Sequence, residues 1–252
     1  MPTKSLRSVL VIEDETALRE FFVFDLEAAG FQVLAAPDGE VATQILSTAD
    51  VDLVVTDANV PKKTGIQILQ ELRTRKDPGR PSVALITGNL ELRLEDAYHL
   101  GINIFIQKPF NRQLLLDAAK RHSLPARERW LFNVATKQLP AWKTVGELEI
   151  NLESYEDSVK KRLVHFGQGG MFIAIEDAAV KVGEAIGFKI HFQNEKGAEI
   201  KGEGIVRWGR LHSLDKLPAG IGVEIYILDP VSIITYEKIL KKYNPIPFIP
   251  KG

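Results

Sequence analysis

The chain has 252 residues, 45% of them hydrophobic, and a formal net charge of −1. That is material for one large or two modest cores, with no overall charge to draw the chain to nucleic acid or to an anionic membrane. It has no cysteine, which excludes disulfides, thiolate metal sites and cysteine nucleophiles. No apolar run approaches the roughly 18 residues of a membrane span. The N-terminus, MPTKSLRSVLVIEDE, has neither a long apolar stretch nor a small-residue cleavage site. The expectation is a cytoplasmic protein without a signal peptide.

The first half alternates regularly. Ser8 to Ile12 is strand-like and leads into Glu13-Asp14-Glu15. Glu15 to Ala29 spaces Leu18, Phe21, Phe22, Leu26 and Ala29 as on a helix, with Gly30 as its stop. Phe31 to Ala35 is a short strand. Asp38-Gly39 opens a helix on Val41, Ala42, Ile45 and Leu46. Val51 to Asp57, VDLVVTD, reads as a strand buried on both faces that ends on a carboxylate. A loop over Pro61 to Gly65 precedes a helix over Ile66 to Arg75. Ser82 to Thr87 is a fourth strand, Leu90 to Leu100 a weaker helix, and Ile102 to Gln107 a fifth strand. Lys108-Pro109-Phe110 then turns into a helix over Asn111 to His122.

Five βα units predict a doubly wound five-stranded parallel α/β sheet. The loops after strands one, three, four and five all open on one edge, where ligands collect in such sheets. They bring Glu13 and Asp14, Asp57, Thr87 and Lys108 there. Like charges repel, so the three carboxylates call for a cation, and oxygen-only ligands suit a hard ion such as Mg2+. A carboxylate beside that ion can attack a phosphoryl group. Lys108 can neutralise a phosphoryl oxygen, and the Thr87 hydroxyl can hydrogen-bond another. Taken singly, each feature has a plainer account. An acid that ends a strand caps the next helix, acids before a helix answer its dipole, and Lys-Pro is a turn.

The pattern Glu13-Asp14, Asp57, Asn59-Val60-Pro61, Gly65, Thr87-Gly88 and Lys108-Pro109-Phe110 resembles the receiver domain of bacterial two-component response regulators, over about residues 7 to 122. The resemblance implies that Asp57 accepts a phosphoryl group from a histidine kinase or phosphotransfer protein. It implies that Asp14, Asp57 and the Asn59 carbonyl ligate Mg2+, with Glu13 acting through a water. Lys108 becomes the phosphate partner, Thr87 the switch hydroxyl and Phe105 the rotating aromatic. Asn59-Val60-Pro61 departs mildly from the family's common Met-Pro pair.

The character changes after His122. We expect a receiver over 1–122, a partly helical linker over 123–143, a small antiparallel β-barrel with a final helix over 144–243, and a loose proline-rich tail over 244–252. Within the linker, Trp130, Leu131, Phe132 and Trp142 are too apolar for free coil. Strand-like stretches run over Glu147 to Leu152, Val159 to Phe166, Met171 to Ile175, Ala185 to Phe192, Glu199 to Trp208 and Gly220 to Ile227, with glycine turns between. Asp229-Pro230 caps the last helix. The Gly167-Gln168-Gly169-Gly170 run leads into a strand, so it reads as a tight turn or bulge and not as a phosphate cradle.

Gly169-Gly170-Met171-Phe172-Ile173, Gly204-Ile205-Val206-Arg207-Trp208 and Gly220-Ile221-Gly222-Val223-Glu224-Ile225 resemble the PilZ domain, a cyclic-di-GMP receptor module, over about residues 143 to 229. The family's Asp/Asn-x-Ser before the double glycine is replaced by His165-Phe166-Gly167. Its paired arginines are also missing: Arg127 and Arg129 are two apart, and Lys137 and Lys143 six apart. Cyclic-di-GMP binding is therefore disfavoured, and the degenerate positions are His165, Gly167 and Gly170. Together these features predict a response regulator whose PilZ-like output works through an unknown protein target, with a homodimer left open. It would not be an enzyme beyond its own dephosphorylation. The alternative is a phosphorylation-controlled cyclic-di-GMP effector with a non-standard site. A DNA-binding output lacks a helix-turn-helix or basic recognition helix, and no clustered nucleophile and base suggests an enzymatic one.

Overall fold

The computed structural model describes residues 7–75, 77, 79–88, 92–131, 144–176, 180–194, 198–214 and 217–252. The chain divides into two compact units, Met1–Arg93 with Leu100–Pro125, and Leu94–His99 with Ala126–Gly252.

The N-terminal elements are β1 (Ser8–Ile12), α1 (Thr16–Ala28), β2 (Gln32–Ala36), α2 (Gly39–Thr48), β3 (Leu53–Asp57), α3 (Gly65–Arg73), β4 (Ser82–Thr87), α4 (Leu94–His99), β5 (Ile104–Gln107) and α5 (Arg112–His122). The five strands form one sheet in the order β2-β1-β3-β4-β5, parallel throughout. β1 and β4 are buried along their whole length, as strands with helices on both faces must be. Phe22, Leu26, Leu115 and Ala119 close one face over Val9, Val55 and Ile86. Phe21, counted on the buried stripe from sequence, is 47% exposed.

Local chemistry starts the helices where the sequence suggests. The Asp38 carboxylate caps α2 by accepting from the amides of Glu40 and Val41. Thr64 and Gln67 form a reciprocal capping box at α3. Asn111 caps α5. α4 is shorter than the stretch expected and packs within the second unit, where Glu95 accepts from Arg210.

The second unit continues with α6 (Ala126–Trp130), β6 (Glu147–Leu152), α7 (Tyr155–Lys161), β7 (Val164–Phe166), β8 (Gly170–Ala174), β9 (Ala185–Phe192), β10 (Ala198–Arg210), β11 (Gly220–Leu228) and α8 (Pro230–Tyr243). Its sheet runs β6-β9-β10-β11-β8-β7. The sequence predicts a small antiparallel barrel. Instead β6 lies parallel to β9, and among the described residues no ladder joins β7 to β6, so the sheet is open. The core packs Phe166, Phe188, Ile190 and Val223 against Ile233 and Tyr236 of α8.

Two further expectations, the strand over Val159 to Phe166 and the loose tail, are corrected. The strand predicted over Val159 to Phe166 begins as the end of a helix, Val159–Lys161 belonging to α7 and only Val164–Phe166 to β7. Ser154 caps α7 through the Asp157 amide, acids occupy the first turn, and Arg162 ends the helix in the left-handed region at φ 56°. The linker expected over 123–143 contributes α6 to the second unit's core, with Trp130 only 1% exposed and its ring edge-on to Tyr236. Residues 132–143, including Phe132, Lys137, Trp142 and Lys143, lie outside the described residues. The tail over 244–252 is packed and not loose, with Phe248 and Ile249 buried.

Candidate functional site: a carboxylate pair bridged by a lysine

β3 delivers Asp57 to the carboxyl edge of the sheet and β5 ends one residue before Lys108. Lys108 Nζ lies 2.7 Å from Asp57 Oδ2 and 3.2 Å from Glu13 Oε2. Glu13 follows β1, which neighbours β3, so adjacent parallel strands bring the two carboxylates to one point. The Lys108 amide donates to the Thr87 carbonyl at 2.9 Å, which ties the loop after β5 to the end of β4. The Lys108–Pro109 peptide is cis.

The site's backbone is built around Asp57. Oδ1 accepts from the Asn59 amide at 2.9 Å, and the Asp57 carbonyl accepts from Thr56 Oγ1 at 2.8 Å. A side chain at Gly65 would run into that carbonyl and into Thr56, so only glycine lets α3 begin this close to the acceptor strand. Arg19 Nη1 donates to the carbonyls of Glu13, at 2.8 Å, and Asp14, at 3.2 Å. Neither Arg19 nor Thr56 was singled out from sequence. Arg19 sits one turn into α1, a position no short motif marks. Thr56 hides inside an apolar strand.

Charge here follows burial. Glu13 is 3% exposed, and its carboxyl is raised above the ordinary value, mainly by desolvation, with Lys108 pulling the other way. Burial alone would lower the Lys108 ammonium. The Asp57 hydrogen bond and the charges of Asp57 and Glu13 outweigh it and raise Lys108 instead.

The expected residues are therefore placed unevenly. Glu13, Asp57 and Lys108 meet. Thr87 is 2% exposed at the end of β4. Phe105, half-buried on β5, pairs in register with Leu85. Asp14 is exposed. Among the described residues no three His, Asp or Glu side chains are grouped closely enough to hold a metal ion. The donor set at this edge is nonetheless all oxygen, and the Glu13–Asp57 pair already draws a cation in Lys108, chemistry that suits a hard divalent ion. Asp14, Asp57 and the Asn59 carbonyl are the candidates to hold one.

In the second unit His165 is half-buried, with Nε2 lacking a hydrogen-bond partner, and desolvation lowers its pKa. Gly167 and Gly170 are covered by Pro247, Phe248 and Ile249. Arg207 Nε donates to Glu224 Oε2 at 2.6 Å, with Glu224 only 1% exposed.

Comparison with known proteins bears on the first unit. Residues 9–120 match the family model of the response regulator receiver domain. The aerobic respiration control protein ArcA of Escherichia coli is 33% identical over 150 residues, covering 58% of this chain and 61% of ArcA. The regulatory protein VirG of Agrobacterium tumefaciens is 34% identical over 111 residues, covering 42% of this chain and 39% of VirG. The chain thus spans about two fifths to three fifths of these curated relatives. Among solved structures, the response regulator TrrA of Thermotoga maritima, in complex with Mg2+ and BeF, aligns over 47% of this chain and 100% of its own. Its identity is 25% and its TM-score 0.43.

Proposed function

From a response regulator receiver domain at residues 9–120, we propose that the chain is a two-component response regulator in which Asp57 is the phosphoacceptor. The observation that carries this is the Lys108 ammonium held against both Asp57 and Glu13. Asp57 Oδ attacks the phosphorus of a phosphohistidine on a kinase or phosphotransfer protein. The O–P bond forms, the P–N bond breaks, and the imidazole nitrogen leaves with the electron pair. Lys108 is already aligned to follow the new phosphoryl oxygens as a point charge. The Thr87 hydroxyl, at the end of the neighbouring strand, is the group to hydrogen-bond another oxygen. Mg2+, held by Asp14, Asp57 and the Asn59 carbonyl with support from Glu13, would supply neutralisation of the phosphoryl oxygens.

The second unit is the output. Its glycine turns and core strands support a PilZ-like module, and His165-Phe166-Gly167 standing where that family has Asp/Asn-x-Ser favours signalling by protein contacts over cyclic-di-GMP binding. Thr87 and Phe105 are the switch residues. The α4 segment follows Thr87 in the chain and packs in the second unit through Glu95 and Arg210, a route by which loading at Asp57 reaches the output.

Incubation with acetyl phosphate and Mg2+ tests the reading. Intact mass should rise by one phosphoryl group, and Asp57→Asn should abolish the gain. A chain that takes no phosphoryl group, or an Asp57→Asn variant that still takes one, sinks the assignment.

A further inference from the structure

Residues 245–250, Pro-Ile-Pro-Phe-Ile-Pro, belong to no strand or helix, yet the turn beneath holds them as a receptor holds a peptide. Gln168 Nε2 donates to the Pro245 carbonyl at 2.6 Å, the Gln168 amide to the Pro247 carbonyl at 2.8 Å, and the Gly169 amide to the Phe248 carbonyl at 3.1 Å. The prolines lack an N–H, and the turn asks only for carbonyls, those of Pro245, Pro247 and Phe248. A side chain at Gly167 would strike the carbonyls of Pro247 and Phe248, and one at Gly169 the Phe248 ring. The glycines therefore leave the turn bare so that another backbone can lie on it. Phe248 is the anchor: 2% exposed, under the Arg129 guanidinium at 5.8 Å and stacked on Tyr98 at 6.3 Å. Its amide donates to the Tyr98 carbonyl at 3.1 Å. The segment is entered through Asn244, which ends α8 in the left-handed region at φ 41°.

We propose that the cleft over Gly167–Gly170 is a peptide-binding site, that residues 245–250 are its ligand in cis, and that the output's partner displaces them with an extended, proline-spaced segment bearing an aromatic anchor. This rests on the second unit being the output and not on the chemistry at Asp57. Polyproline-like segments suit such recognition because they are ordered before they bind. A tethered occupant at roughly millimolar effective concentration excludes weak competitors, which makes the contact autoinhibitory.

The probe is a fluorescent synthetic peptide of residues 244–252, followed by anisotropy. A chain ending at Asn244 should bind it saturably, at least about tenfold tighter than the full chain. Full-length Phe248→Ala should also gain binding over wild type. A peptide with alanine in place of its phenylalanine should not bind. The proposal is overturned if either variant, while melting cooperatively, fails to bind, or if the alanine peptide binds equally. If the truncated chain does not fold, Phe248→Ala alone decides. If both unfold, the segment is fixed architecture and the proposal fails. Phosphoryl gain at Asp57, measured on the same samples, is expected to be unchanged, so failure here is separable from failure of the receiver reading.

Discussion

The Lys108 ammonium stands 2.7 Å from Asp57 Oδ2 although 51 residues separate them in the chain. Two non-adjacent strands, β3 and β5, must end at the same edge with β4 between them for this to occur. The pair places a positive charge where a transferred phosphoryl group would develop negative charge, the arrangement that lowers barriers most. Lys108→Met should slow phosphoryl uptake from acetyl phosphate by about 100-fold. Lys108→Arg should recover only part of it, because a planar fork does not replace a point charge at a site this tight. Because Lys108 is raised from its ordinary value of 10.5, it stays protonated across the neutral range. Uptake by the wild type should show no step there that the Met variant lacks. Time courses by intact mass check each point.

Gly65 carries the second expectation. An added Cβ would stand against the Asp57 carbonyl and 2.9 Å from Thr56 Oγ1. Backbone cannot yield as a flexible side-chain end does, so Gly65→Ala should cost about 1–3 kcal/mol and displace the loop that carries Asp57. Urea midpoints give the first quantity. Phosphoryl uptake by the folded variant gives the second. An alanine variant equal to wild type in both would mean that α3 moves aside freely.

The first unit was legible because its signals are local and repeated. Apolar runs of buried-strand length end on Asp57 and Thr87, and Asp38 and Asn111 announce helix starts at single residues. The convergence of Glu13, Asp57 and Lys108 follows from parallel topology and needs no further information. The second unit was less legible. Ser154 with Asp157 three residues on is a helix start, but Val159 to Phe166 reads equally well as strand, and the cap decided the outcome. Nothing in Glu147–Leu152 says whether its neighbour runs parallel or antiparallel, so the open sheet was hidden. The packed tail was missed because proline content suggests looseness, whereas the fit of Phe248 over the glycines depends on contacts distant in sequence.

Arg207 and Glu224 form an ion pair across β10 and β11, with Nη2 2.5 Å from Glu224 Oε2. Burial would lower the Arg207 guanidinium, but Glu224 overrides it and the shift is upward. The Arg207 side chain keeps 32% exposure while Glu224 keeps 1%, so the acid is the member that a deletion harms more. Arg207→Met should destabilise the second unit by about 3 kcal/mol, since the loss takes this cation from a buried carboxylate. The double variant Arg207→Met, Glu224→Gln should recover much of that loss. Denaturant midpoints of the four chains form the cycle. Additive losses would show that the pair is not coupled.

α7 and the end of α8 are joined by Glu156, which accepts from Lys242 Nζ at 2.5 Å and from the Tyr243 hydroxyl. The Lys242 hydrogen bond first, and then that of Tyr243, lowers the Glu156 carboxyl from 4.5 to about 2. A carboxyl depressed in the folded state binds its proton more weakly there than in the unfolded chain. Its stabilisation is therefore complete above 4.5 and is lost as pH falls from there towards about 2. Glu156→Gln should be less stable than wild type at neutral pH, and the gap should shrink as pH drops through that window. The Lys242 partner shifts upward, so its contribution holds throughout the acid range and does not blur the trend. All three groups are at the surface, so added salt should narrow the neutral-pH gap. Thermal midpoints of the two chains, measured in parallel from neutral to acid pH at low and high salt, check this. A gap that ignores both pH and salt would assign the contact to packing and not to charge.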